Sequence, residues 1–100
     1  MNLRQLKAFQ AVCRTGSITR ASELIHLSQP ALTRQIQELE SYCGCKLFER
    51  TRHGIVLTDE GELFQGRAEE MLALAERTQR ELREAGGFTG GIVPVSYTHL

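Results

Sequence analysis

The chain has 100 residues, an ordinary composition and a formal net charge of zero, which suits one small domain, or a small domain plus an extension. It contains no apolar run long enough to span a membrane and no signal-peptide core near Met1, so we expect a soluble, cytoplasmic protein. Its three cysteines, an odd number, are typical of free thiols in a reducing compartment rather than of a disulfide framework.

The balanced total hides two segments of opposite charge. Residues 1–58 carry eight basic and four acidic side chains, a net charge of +4, whereas residues 59–85 carry four basic and eight acidic ones, a net charge of −4. A basic segment favours a polyanionic partner, and an acidic segment suggests a protein partner. Chance asymmetry is the alternative.

The N-terminal segment predicts an amphipathic helix. Asn2 can cap it, with Gln5 three residues later as in a capping box, and Gly16 ends it. We expect Cys13 to be an unreactive core residue, because burial in apolar surroundings raises the pKa of a thiol. The apolar residues that recur at helical spacing and face the core are Leu3, Leu6, Phe9 and Cys13.

A second, short helix is predicted after Ser17, which can cap it. Only about three residues separate this helix from the next cap at Ser28, and this separation is typical of a helix-turn-helix. We place the motif from Ile18 to Gln37, with His26 in the turn as a solvent-facing or capping residue. The buried side of the short helix is expected to hold Ile18, Ala21, Leu24 and Ile25.

Residues 28–43 predict a helix with two unlike faces. The inner face repeats apolar residues at spacings of four, three and four: Leu32, Ile36, Leu39 and Cys43. The outer face offers amide, hydroxyl and guanidinium groups, which pair with base edges in fixed geometry. This face therefore suggests a DNA-reading helix, the alternative being an ordinary solvated surface. The outer face contains Pro30, Thr33, Arg34, Gln37 and Ser41. Because an entering recognition helix leads with its N-terminal end, the residues expected to bind DNA are Ser28, Gln29, Pro30, Thr33 and Arg34, with Gln37 marginal and Ser41 too far back.

A hairpin is predicted after the helix ends at Gly44. Two β-prone segments, residues 46–51 and 55–58, flank a tip that contains glycine. A hairpin that follows a helix-turn-helix is a wing, and its basic tip can reach phosphates or a minor groove. We expect Arg50, Arg52 and His53 to bind DNA there, and Leu47, Phe48 and Leu57 to cover the core.

Thr58 can cap a long helix that extends to Ala85. At 1.5 Å per residue such a helix measures about 40 Å, which is long for so small a domain. Its most economical partner is a second copy, the alternative being a helix folded back on its own domain. The predicted dimer seam, heptad-like in spacing, contains Phe64, Ala68, Met71, Ala75, Thr78, Leu82 and Ala85, widened by Leu63, Leu72 and Leu74.

Several segments carry a resemblance to a known family: Leu6–Phe9, Gly16–Ala21, Leu27–Leu32, Gln35–Glu40, Gly44–Arg50 and Leu57–Gly61. The most specific are Ser-Gln-Pro-Ala-Leu and Leu-Phe-Glu-Arg in combination. Over residues 1 to about 85 the chain resembles the LysR-type transcriptional regulators of bacteria. The resemblance implies a winged helix-turn-helix, a linker helix that pairs two subunits, and then a periplasmic-binding-protein-like domain for a small inducer.

By position, the resemblance implies a recognition helix from Ser28 to about Tyr42. It also implies that Gln29, Pro30, Thr33 and Arg34 approach bases, and that Arg50 and Arg52 approach the backbone or minor groove. The expected partners are double-stranded DNA and a second copy, as a homodimer or higher homo-oligomer. A small-molecule inducer is expected only if an effector domain follows, because residues 87–100 are interpreted as a truncated start of that domain or a foreign tail.

We therefore predict a mainly α fold: a winged helix-turn-helix of three helices and a two-stranded wing in residues 1–58, then a linker and dimerisation helix in residues 59–86. One alternative is a winged helix that binds protein. Another is a metal or thiol sensor built on Cys43 and Cys45, although Cys-x-Cys is not the spacing of a zinc knuckle. The chain has no phosphate loop or nucleophile motif, so we expect no enzyme, catalytic residue, metal or cofactor.

Overall fold

A computed structural model describes residues 1–87 of the chain as four helices and one hairpin. In order these are α1 (Leu3–Thr15), α2 (Ile18–Leu24), α3 (Gln29–Cys43), β1 (Phe48–Thr51), β2 (Gly54–Leu57) and α4 (Asp59–Gly87). The predicted fold class, a mainly helical winged helix-turn-helix followed by a long helix, is confirmed. The remainder of the predicted tail, residues 88–100, lies outside the described residues.

Side-chain caps set the start of every helix. At each one a polar side chain accepts a hydrogen bond from the backbone N–H three residues later, which satisfies a donor that the helix itself leaves unpaired. The four caps, with their distances, are Asn2 at 2.8 Å, Ser17 at 3.2 Å, Ser28 at 3.2 Å and Thr58 at 2.9 Å. α1 and α3 end on Gly16 and Gly44, both in the left-handed region with φ of +67° and +76°.

The core is organised around α1, which contacts each of the other helices. Phe9 is fully buried. The centroid of its ring lies 5.1 Å from that of Phe48 in the hairpin and 4.9 Å from that of Phe64 in α4, which it meets edge-on. Ala21 of α2 has no exposed surface, so its small side chain lets α2 approach closely. α1 therefore fixes the recognition helix, the hairpin and α4 relative to one another.

The hairpin begins two residues later than predicted. Phe48 pairs with Leu57 and Thr51 with Gly54, which leaves Arg52 and His53 as a two-residue turn. The predicted first strand included Lys46 and Leu47, but the backbone of these residues bonds to groups outside the hairpin, as described below. Leu47 is fully buried and Phe48 and Leu57 pack on the core, so their predicted role as core cover is confirmed.

Two residues expected on buried faces are exposed. Leu24 is 46% exposed because the buried side of α2 is centred on Ala21 and Ser22, about a third of a turn away from it. Ser22 tolerates burial because its hydroxyl donates to the Thr19 carbonyl at 2.8 Å. Leu3 is 48% exposed at the first position of α1, before the helix reaches the core.

The predicted seam divides between two surfaces of α4. Ala68 is fully buried and Leu72 is 8% exposed, and both belong to the core beneath α1. Ala68 has no exposed surface, so its side chain contributes to the core of its own chain, and the seam predicted for a second copy rests on the other residues. Phe64 and Met71 are partly buried against the same core. The exposed large apolar residues of α4 are Leu63, Leu74 and Leu82. Of the other predicted seam residues, Ala75 is half-buried, whereas Thr78 and Ala85 are exposed.

Candidate nucleic-acid interface

A groove of about 590 Å³ runs between the N-terminal end of α3 and the hairpin. Gln29 and Thr33 border it from α3, and Arg50, Arg52 and His53 border it from the hairpin. The structure thus brings together five predicted site residues that lie up to 24 positions apart in the chain. None of the described residues that line this groove carries a carboxylate. A polyanion entering it would meet two guanidinium groups together with amide and hydroxyl donors.

A second groove, of about 460 Å³, continues along α3. Thr33, Gln37 and Arg50 border it, above apolar side chains of α3 and the hairpin. Two carboxylates, those of Glu40 and Glu49, also border it, so its charge is mixed. The first groove is therefore better suited to a phosphate backbone, and Gln37 lies at the less favourable end of the surface.

The other predicted residues of α3 lie on the exposed face outside these two grooves. Ser28 is exposed, and its hydroxyl accepts from the Ala31 N–H at 3.2 Å, so it caps the helix. Pro30 and Arg34 are both exposed and lie one turn apart on the same face. Both side chains are open to solvent and border neither groove.

The inner face of α3 holds this surface in place. Leu32 and Leu39 are fully buried and Ile36 is 7% exposed, which confirms the predicted anchoring face. A polar contact adds to it, because the Nε2 of buried Gln5 in α1 donates to Oε1 of Glu38 at 3.2 Å. The outer face is therefore presented by a helix that is fixed on its opposite side.

The N-cap and the first turn of α2 border the interface without having been predicted there. Ser17 and Thr19 both line the first groove, and Thr19 is exposed. They reach it because the corner between α1 and α2 meets the hairpin: the Ile55 N–H donates to the Gly16 carbonyl at 3.5 Å. The sequence indicates Ser17 only as a cap, since nothing local shows that this corner contacts a hairpin 38 residues later.

Two of the three cysteine thiols, those of Cys13 and Cys43, are harder to ionise than a free thiol. Burial raises the pKa of Cys13 to about 12, with a smaller contribution from the charge of Glu69. Burial also raises the pKa of Cys43, followed by the effect of nearby Cys45. Within residues 1–87, no three His, Cys, Asp or Glu side chains are grouped so that they could hold a metal ion. In the same part of the chain, no helix is long and apolar enough to cross a membrane.

This arrangement defines the class of the domain: a winged helix-turn-helix whose recognition helix and basic wing share one groove. The pattern described as "Bacterial regulatory helix-turn-helix protein, lysR family" matches residues 3–62. The chain belongs to this family of bacterial regulators, which confirms the resemblance and, through it, the expectation that the chain is not an enzyme.

Among curated relatives, the chain is 44% identical over 97 residues to the HTH-type transcriptional regulator TfdT of Cupriavidus pinatubonensis (strain JMP 134 / LMG 1197). The alignment covers 97% of this chain and 42% of TfdT. The chain is also 41% identical over 97 residues to the HTH-type transcriptional regulator TcbR of Pseudomonas sp. (strain P51), covering 33% of that protein. It therefore spans less than half the length of either relative.

Several of the similar solved structures contain DNA. The DNA-binding domain of CbnR in a complex with DNA superposes with a TM-score of 0.80 at 44% identity, covering 85% of this chain and 98% of that one. The DNA-binding domain of BenM with catB site 1 DNA gives a TM-score of 0.80 at 34% identity, covering 84% of this chain and 94% of that one. Full-length CbnR, a LysR family regulator, gives a TM-score of 0.84 at 43% identity, covering 86% of this chain and 30% of that one.

Proposed function

We propose that this chain binds double-stranded DNA sequence-specifically and regulates transcription in the bacterial cytoplasm. The observation that carries the proposal is the groove in which α3 residues and three basic wing residues converge without a carboxylate among its described lining. The DNA complexes of the related CbnR and BenM domains support it. The alignment covers less than half of TfdT, as expected if this chain corresponds to the DNA-binding part of a longer regulator.

In this proposal the first two turns of α3 enter the major groove. Gln29 and Arg34 read base edges, since Gln pairs well with adenine and Arg with guanine. Pro30 and Thr33 contribute apolar and hydroxyl contacts beside them. The wing residues Arg50, Arg52 and His53 lie against the flanking backbone or minor groove and set the orientation of the helix.

A second copy completes the proposed regulator by packing against the exposed face of α4. Two-fold symmetry then requires a roughly palindromic site with half-sites about one helical turn, or a multiple of it, apart. A small-molecule inducer would bind a further domain, so it is a proposed partner only of a longer form of the protein.

Selection from a random DNA library, followed by affinity measurements at several salt concentrations, tests the proposal. We expect one palindromic sequence to be enriched. We also expect affinity for random-sequence DNA to fall by orders of magnitude between about 50 and 200 mM salt, because phosphate contacts release counterions. An absence of DNA binding at low salt would contradict the proposal and favour the protein-binding alternative.

A further inference from the structure

The segment that enters the wing, residues 46–48, is held from α3 by one carboxylate. Oε2 of Glu40 accepts hydrogen bonds from the backbone N–H groups of Leu47 at 2.8 Å and Phe48 at 3.2 Å. Oε1 of the same side chain lies 3.7 Å from Nζ of Lys46, and the Glu40 side chain is only 11% exposed. A carboxylate this buried is tolerated when donors replace its water, as these amides do.

The same segment is held on its other side by the start of α4. The Thr58 hydroxyl donates to the Lys46 carbonyl at 2.7 Å, and the Thr58 N–H donates to the Leu47 carbonyl at 3.0 Å. The backbone of Lys46 and Leu47 is thus bonded to α3 and to the start of α4, and the pairing with β2 begins only at Phe48. The carboxylate of Glu40 is thus one of two anchors of this segment.

We propose that Glu40 is a positioning residue for DNA binding, which sets the wing against the recognition helix so that Arg50 and Arg52 meet the same duplex as α3. This inference rests on the proposed function. Arg50 is two residues beyond Phe48, whose N–H Glu40 binds, so a change in the path at Phe48 is carried directly into β1. Glu40 borders the second groove, but its carboxylate is committed to backbone amides of the wing.

Simple electrostatics predicts the opposite effect for the same mutation. Removing a carboxylate from a DNA-facing surface reduces repulsion of phosphates, and so should strengthen binding. A positioning role predicts weaker binding, because the amides of Leu47 and Phe48 lose their charged acceptor. Glu49 supplies a matched control: it is exposed on β1 beside Arg50 and borders the same groove.

The test measures affinity of the 100-residue chain for a random-sequence DNA duplex across a salt series. We expect Glu40→Gln and Glu40→Asp to weaken binding about tenfold and to reduce the salt slope by about 1 for each lost phosphate contact. Glu40→Asp keeps the charge, but its side chain is one methylene too short to reach both amides. A loss of affinity in this variant is therefore caused by the lost hydrogen bonds and not by a change of charge. Glu49→Gln should bind as tightly as the unchanged chain or more tightly.

A double-mutant cycle then shows whether Glu40 acts through the wing. Arg50→Ala should weaken binding in the unchanged chain but have much less effect in the Glu40→Gln background, because the two changes remove the same contact. Additive losses, or undiminished binding by both Glu40 variants, would overturn the inference. Circular dichroism in the same samples corrects each affinity for the folded fraction, and amide exchange at Leu47 and Phe48 should accelerate in both variants.

Failure of the inference and failure of the proposed function give different results. If the unchanged chain does not bind the duplex at low salt, the proposed function fails and the inference fails with it. If the unchanged chain binds and the Glu40 variants bind equally well, DNA binding stands and only the positioning role is lost.

Discussion

At the scale of single residues, Arg34 and Arg52 illustrate two ways in which a guanidinium group can serve the proposed interface. Arg34 lies on the exposed edge of α3, one turn beyond Pro30. Arg52 lies in the turn of the hairpin, on the groove that it shares with Gln29. A bidentate base contact depends on sequence, whereas a phosphate contact does not. Mutation of Arg34 should therefore change sequence specificity, whereas mutation of Arg52 should lower affinity for all sequences.

Arg34→Ala should cost about 1–3 kcal/mol of binding free energy at the selected site and relax specificity at one base pair. The measurement is affinity for the selected site and for its single-base variants. Arg52→Ala is the matched control and should weaken all of these duplexes alike, with a salt slope lower by about 1. A uniform loss for Arg34→Ala would make Arg34 a phosphate contact instead.

Cys13 should be resistant to alkylation in the folded protein. Because burial raises its pKa from 9.0 to about 12, the reactive thiolate is scarce at pH 8. Mass spectrometry after timed treatment with iodoacetamide should show modification of Cys13 only once denaturant unfolds the chain. Rapid labelling of Cys13 in the native protein would show that the site is open.

The same shift makes stability depend on pH in a defined direction. Between pH 9 and about 12 the unfolded chain loses the thiol proton while the folded chain keeps it. The unfolded state therefore binds fewer protons, and the free energy of unfolding falls as pH rises through this window. Cys13→Ala should make the decline between these pH values shallower in denaturant titrations.

At the scale of the elements, the junction between the hairpin and α4 is too close to accept a side chain at position 61. A Cβ added to Gly61 would lie 2.1 Å from the Leu47 carbonyl oxygen, a backbone atom that is itself held by Thr58. Glycine at position 61 thus lets α4 begin directly against the entrance to the wing. Sequence periodicity alone indicates Gly61 only as a poor helix former, not as a contact point.

Gly61→Ala should destabilise the domain by about 1–3 kcal/mol, because the added methyl group forces backbone apart. Gly66→Ala on the same helix is the control: a Cβ there meets nothing within 4 Å. It should raise stability by roughly 0.5–1 kcal/mol through helix propensity alone. Thermal unfolding followed by circular dichroism measures both, and equal midpoints for the two variants would refute the contact argument.

At the scale of the whole molecule, α4 serves two different surfaces along its 29 residues. Its first half packs on α1 through Ala68 and Leu72, as the folded-back alternative supposed. Its second half extends beyond the core and exposes Leu74 and Leu82, which are 52% and 68% exposed. The dimer remains a prediction, and its seam now rests on the second half, with Met71 at the margin.

Leu74→Glu combined with Leu82→Glu should convert a dimer to monomers while leaving the helical circular dichroism spectrum unchanged, because neither residue supports the domain core. Analytical ultracentrifugation measures the mass. Ala73→Glu, on the opposite exposed side of the helix, should leave the dimer intact. A dimer that survives the double substitution would place the interface elsewhere.

The sequence by itself determined the features that depend on neighbouring residues. Asn2, Ser17, Ser28 and Thr58 each bind an N–H three positions away, so their roles as caps follow from local order alone. The inner face of α3 follows in the same way from helical periodicity. The basic wing residues could also be predicted from the sequence, because a hairpin that follows a helix-turn-helix is a wing.

Only the tertiary structure decided which surfaces meet. It assigned Ala68 to the core of its own chain, brought Thr19 to the groove, and joined Glu40 to the backbone of Leu47 and Phe48. These contacts join residues that are far apart in the sequence, so helical periodicity does not predict them. They depend on how the other elements pack against α1 around Phe9. Hydrogen-bond patterns within a helix are local, whereas the burial of apolar surface is a property of the assembled chain.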